Sequence, residues 1–156
     1  MKKTILPGLV AVLILAACNN HKDDEGHGGH GKTAPQTQED SLMADVMDGH
    51  DAGMAKYGKL QAMEKKARAA IDSIGKLPLK AQQELAPYKV KLDSLAADLS
   101  YAIFAMDKWM EEFSMDSARD NMEARIQYLL NEKMKVGKVK EAILNSLGKA
   151  DSLLKK

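Results

Sequence analysis

Aromatic residues make up only 4 % of this 156-residue chain, so aliphatic side chains and methionine must build any core. There is one cysteine, which excludes an internal disulfide and a multi-thiolate zinc site; stability has to come from packing. No glycine-rich phosphate loop, serine-histidine-acid set or metal-hydrolase motif is present, and enzymatic action is not expected. The formal net charge of +1 gives no general attraction to nucleic acid. Beyond residue 40 the alternation of β-branched and polar residues that marks strands is missing, and no internal repeat occurs.

What is present begins at the N-terminus. Lys2 and Lys3 precede an apolar run from Ile5 to Leu15 that ends in small residues, the layout of a secretory signal. The run is too short to span a bilayer. At its end Leu15, Ala16, Ala17 and Cys18 stand together and resemble the lipobox of bacterial lipoproteins. That resemblance implies that residues 1–17 are removed and that Cys18 carries diacylglycerol and an N-terminal fatty acid. Its address would be the cell envelope, as an outer-membrane lipoprotein on the periplasmic face or at the cell surface. Each buried methylene contributes about 0.8 kcal/mol, so two or three chains hold a protein on a membrane where one does not. Lipidation also consumes the one thiol. Loss of Lys2 and Lys3 takes the formal charge from +1 to −1.

Residues 18–39 read as the lipidated cysteine and a tether. Asn19 to Glu39 holds three histidines, four glycines, Pro35 and many charges, a composition that cannot bury a core. As a random coil of this length it would span roughly 25 Å. Lys22, Asp23 and Asp24 resemble the export signal of surface lipoproteins of the Bacteroidota. His21, His27 and His30 lie among glycines, where neutral imidazoles can gather around Zn²⁺, Cu²⁺ or Ni²⁺. The alternative is a solvated linker that contains histidine.

Residues 40–156 are rich in leucine, alanine, methionine, lysine and glutamate, good helix formers. Three helices are expected, forming an all-α, elongated, antiparallel three-helix bundle of coiled-coil character. The first should run from Ser41 to Ile74, with Asp40 or Ser41 as N-cap and Gly75 and Pro78 as stop signals. Its stripe is Met43, Met47, His50, Met54, Tyr57, Leu60, Met63, Ala67, Ile71 and Ile74. Gly49, Gly53 and Gly58 should weaken its first half. The second should begin at Pro87, with Leu79 to Ala86 as a turn or separate short helix. Its stripe is Leu85, Tyr88, Leu92, Leu95, Leu99, Ile103, Met106, Met110 and Phe113, with a shift of the seam after Leu99. The third should begin near Ser117, with Ser117 and Asp120 as a capping box. Its stripe is Met122, Ile126, Leu129, Val136, Val139, Ile143, Leu147, Ala150 and Leu154. A charged gap falls at Glu132 and Lys133; a small rotation bringing in Leu130 or Met134 would close it.

A family resemblance rests on three groups of residues: Val46, Met47, His50, Asp51 and Met54; Ala105 through Met110 with Phe113; and Tyr128, Leu129 and Leu130 leading to Lys138, Val139 and Lys140. Over residues 42 to 154 the chain resembles small Bacteroidota lipoproteins of the kind labelled "viral A-type inclusion protein". The resemblance implies a helical fold and an envelope location, and brings no catalytic residues.

Two groups are candidates for binding. Met43, Met47, His50 and Met54 fall within about a 60° arc of one helix face, and thioether with imidazole suits Cu(I). The plainer reading makes the methionines adaptable packing, with His50 at the rim. Trp109, with Met106 and Met110, either caps the core or offers a docking patch to an envelope protein or glycan. Oligomeric state is not legible.

Overall fold

A computed structural model describes residues 37–154. The signal, Cys18 and His21, His27 and His30 lie outside the described residues. Three helices make up the fold: α1 (Gln38–Gly75), α2 (Leu79–Glu112) and α3 (Met122–Leu154). With 38, 34 and 33 residues they are about 57, 51 and 50 Å long at 1.5 Å per residue. Ion pairs Glu39–Arg125, Asp45–Lys133 and Lys59–Asp151 advance in the same direction along α1 and α3, which are therefore parallel. α2 runs against both: Tyr57 bonds Asp107 and Arg68 bonds Ser100, and on the other side Lys149 bonds Asp98. The all-α three-helix bundle expected from composition and spacing is the observed architecture. The described residues form one compact unit, and the buried apolar cluster lies wholly within it. The bundle thus supplies its own core.

Helix boundaries follow local chemistry. α1 starts earlier than expected because Thr37, not Asp40 or Ser41, is its N-cap. The Asp40 amide donates to Thr37 Oγ1 at 3.0 Å, and the Thr37 amide donates to Asp40 Oδ2 at 3.1 Å, a reciprocal capping box. Its end at Gly75 agrees with the stop signals read from the sequence. Gln82 then fastens the turn, its side-chain amide donating to the carbonyls of Gly75 and Leu77.

α2 does not begin at Pro87; it runs through it from Leu79. Pro87 removes one helical hydrogen bond, from its own position to the carbonyl of Gln83. Both residues are exposed, so water can satisfy that carbonyl. α3 does not begin at Ser117 either. Asn121 caps it, accepting from the Ala124 amide at 3.0 Å. The intervening turn places Ala118 at φ 58°, the left-handed region that a side chain disfavours.

Inside, much of the expected line is the observed one: Leu60, Ala67 and Ile74 in α1, Leu92, Leu95, Leu99 and Met106 in α2, and Leu129, Val136, Val139, Ile143, Leu147, Ala150 and Leu154 in α3 are buried, and the departures gather at the end of the bundle where α1 begins. In the first half of α1 the buried positions are Leu42, Val46, Gly49 and Gly53, one residue before Met43, Met47, His50 and Met54. In α2 the seam passes through Ala102 and Trp109 rather than Ile103 and Met110, with no shift after Leu99. In α3, Arg125 replaces Met122 and Ile126, and Glu132 itself fills the gap while Leu130 and Met134 stay outside. The physical reason is helix approach. A Cβ on Gly49 would lie 2.8 Å from Val136 Cγ1, and one on Gly53 would lie 2.3 Å from Met106 Cε. Side chains of the neighbouring helices, Val136 and Met106, fill the space over these two glycines, so they belong to the seam and the larger methionines beside them do not.

Candidate functional site

The end of the bundle where the chain enters holds a connected set of polar and aromatic side chains. Trp109, from α2, is 5 % exposed, and its indole Nε1 donates to Glu132 Oε2 of α3 at 2.9 Å. The other oxygen of Glu132 accepts from Lys135 Nζ at 2.8 Å. That bond to Glu132 holds the Lys135 ammonium above its ordinary pKa, against the opposing pull of partial burial. Buried Arg125 donates from Nε to Glu39 Oε1 at 2.8 Å and from Nη1 to the Ser117 carbonyl at 2.9 Å. One side chain therefore ties the first turn of α1 and the α2–α3 connection to α3.

Around these bonds runs a ladder of rings. His50 stands 5.7 Å from Trp109, Trp109 stacks on Phe113 at 4.9 Å, and Phe113 lies 6.3 Å from Tyr128. The Arg125 guanidinium lies 5.9 Å from the Tyr128 ring, and the Tyr128 hydroxyl accepts from the Ser114 amide at 2.7 Å. No buried side-chain nitrogen or oxygen among the described residues lacks a hydrogen-bond partner. The cluster is closed on itself and acts as a clasp that fixes the register of the helices.

This settles the surroundings of the sequence candidates. Trp109 and Met106 are inside the bundle, and of that trio only Met110, at 37 %, faces outward. A patch built on all three is therefore not presented at the surface; Trp109 is on the seam because its indole N–H finds Glu132. The Met43, Met47, His50 and Met54 stripe lies beside the seam. Met43 and Met47 are half-buried, Met54 is 37 % exposed, and His50 Nδ1 is 2.9 Å from Asp51 Oδ1. Of the acidic residues alongside, Asp45 pairs with Lys133 at 2.7 Å. No group of three or more histidine, cysteine, aspartate or glutamate residues among the described residues is placed to hold a metal ion. Thioether donors fall outside that set.

The surface feature that sequence reading missed lies on the back of α2. Val90, Tyr101 and Phe104 are 66 %, 62 % and 59 % exposed, with exposed Ala97 between them. Their steps of seven, four and three place all four on one exposed line of α2, flanked by grooves toward α1 at Ala97 and Phe104 and toward α3 at Val90. Lone exposed apolar residues are ordinary, but a line of them that includes two of the chain's few aromatics is not. Val90 also borders a groove of about 600 Å³ between α2 and α3 that includes Leu95 and Leu153. The missed signal was a second set of three-and-four spacings on a helix whose first set had already been given to the core.

No family model matches the chain, and no curated protein or solved structure matches it.

Proposed function

We propose that this chain is a lipid-anchored, noncatalytic helical module of the bacterial cell envelope. It is held on the outer membrane through Cys18 and works by binding another envelope component, a protein or a glycan. The anchor and address rest on the lipobox and signal of the sequence, and on the resemblance to small Bacteroidota lipoproteins. The observation that carries the binding role is the exposed line of Val90, Ala97, Tyr101 and Phe104 on α2. It carries two aromatic rings and is exposed along its length. The polar clasp at the other face of α2, by contrast, is consumed internally.

The test is a photocrosslinking side chain placed at Phe104 in intact cells, with the exposed Lys138 of α3 as the control position. Discrete adducts from position 104 that position 138 does not give are expected. Equal adducts from both, or none from position 104 under efficient illumination, would sink the binding role.

A further inference from the structure

The line on the back of α2 extends well beyond its apolar centre. From Lys80 to Glu111 every step along it is three or four, in strict alternation, and each residue on it is exposed. The line is apolar at its centre, through Pro87, Val90, Ala97, Tyr101 and Phe104 with Ser94 among them, and polar or charged at its ends, through Lys80, Gln83, Lys108 and Glu111. Such a line fits another helix; its chemistry says which one. From the self-complementarity of that line we infer that the partner is a second copy of this chain, packed antiparallel along α2 about a two-fold axis at the level of Leu95 and Ala96. The inference rests on the reading of the bundle as a binding module and names what that surface binds.

Folding the line about this axis sets unlike residues against each other in its five layers, with Gln83 facing Lys108 in a layer that brings neither an apolar contact nor opposite charge. Lys80 meets Glu111 of the other copy, and the charges attract. Pro87 meets Phe104, and Val90 meets Tyr101, so a smaller apolar residue faces a ring in each case. At the centre Ser94 meets Ala97, two small residues that let the backbones approach. Because the interface is isologous, each of these contacts occurs twice. A parallel in-register pair would instead set Lys80 on Lys80, Lys108 on Lys108 and Glu111 on Glu111, three like-charge layers that oppose it. Neither Lys80 nor Glu111 is engaged by an ion pair within the bundle, whereas Lys89, also on α2, is held by Asp93.

The line is about 46 Å long at 1.5 Å per residue and one helix wide. An interface of that size sits at the low end of specific complexes, so a reversible dimer is expected, with Kd on the order of 10 µM. Confinement of both copies to one membrane surface would raise their effective concentration and favour pairing.

Sedimentation velocity on the bundle from Ala34 onward, from micromolar to millimolar concentration, tests the proposal. A concentration-dependent monomer–dimer equilibrium is expected. Tyr101→Glu with Phe104→Glu should abolish it at unchanged helix content, since both sites are exposed. Lys80→Glu should weaken it about three- to tenfold at low salt, consistent with a peripheral ion pair made twice. Lys80→Glu combined with Glu111→Lys should restore it. A dimer that ignores the Tyr101 and Phe104 changes forms elsewhere and overturns the proposal. A double charge swap weaker than Lys80→Glu alone overturns the antiparallel register. A chain that stays monomeric at millimolar concentration overturns self-pairing; if Phe104 then still crosslinks to a different molecule in cells, the binding-module reading survives, and if it does not, both fall.

Discussion

Trp109 and Glu132 lie on different helices, are both buried, and meet through a 2.9 Å hydrogen bond from indole to carboxylate. Neither is accommodated without the other. Glu132→Leu would leave the indole N–H in the core without an acceptor, a loss of about 1–3 kcal/mol. Trp109→Phe would leave Glu132 held by Lys135 alone. The double change Trp109→Phe with Glu132→Leu should cost clearly less than the sum of the single changes. Urea unfolding of the four proteins measures this, and simple additivity would show that the two residues are not coupled.

The glycines of α1 should separate by position. Gly58 has nothing within 4 Å of where a Cβ would stand, so Gly58→Ala should stabilise the bundle by about 0.5–1 kcal/mol through helix propensity. Gly49→Ala meets Val136, whose branched side chain has little freedom to turn, and a net loss on the order of 1 kcal/mol is expected despite the same propensity gain. Thermal melts of both variants decide it; two gains of equal size would contradict the close packing at Gly49.

Glu64 gives the bundle a pH dependence. Hydrogen bonds from Arg68, and secondarily from Ser100, hold its carboxyl below the ordinary value of 4.5. Its contribution is therefore fully present above that value and is lost as pH falls through the lowered one. Because Arg68 is largely exposed, the contribution should be under about 1 kcal/mol. The stability difference between the natural chain and Glu64→Gln should shrink as the pH of a urea titration is lowered into the acid range. A difference that persists unchanged at the acid end would mean that Glu64 ionisation is not linked to folding.

The anchor predicts a processing defect. Cys18→Ser should accumulate as unprocessed precursor that takes up no labelled fatty acid. Normal cleavage after Ala17 with unchanged membrane retention would refute the lipobox reading.

Copper binding separates from partner binding at His50. If the methionine-histidine stripe holds Cu(I), His50→Leu should abolish stoichiometric binding by the bundle from Ala34 onward while helix content is kept, since the site is half-buried beside Trp109. Competition against a Cu(I) chelator reads this out. No binding tighter than micromolar in the unmutated bundle would eliminate the metal reading.

Helical character, helix number and the end of α1 were legible from composition, spacing and Gly75 with Pro78. So was the seam over much of its length, through Leu60, Leu92, Leu99, Leu129 and Ile143; its phase in the first half of α1 and at the facing ends of α2 and α3 was not. Periodicity in sequence favours the largest apolar residue, so Met47 and Met54 outweighed Val46 and Gly53. The structure favours whichever side chain lets the helices close, and at Gly53 that is none at all. Arg125 was left off the stripe, and Glu132 looked like a gap, for a related reason. Their partners, Glu39 and Trp109, are 86 and 23 residues away, and only the folded chain brings those atoms together. The exposed line on α2 was hidden by the same habit of assigning one stripe to each helix.

The parallel placement of α1 and α3 has a mechanical consequence. The chain enters α1 at the end where α3 begins, so a pull transmitted through Thr37 while the back of α2 is held would act along the axis of α1. Under such a load the side chains around Gly49, Gly53 and Leu60 would resist together in shear, instead of opening one after another as in peeling. The first links to carry the tension would be the Thr37–Asp40 box and the Glu39–Arg125 pair. A bundle threaded this way should tolerate such an axial force far better than one of its two-helix hairpins pulled from both chain ends.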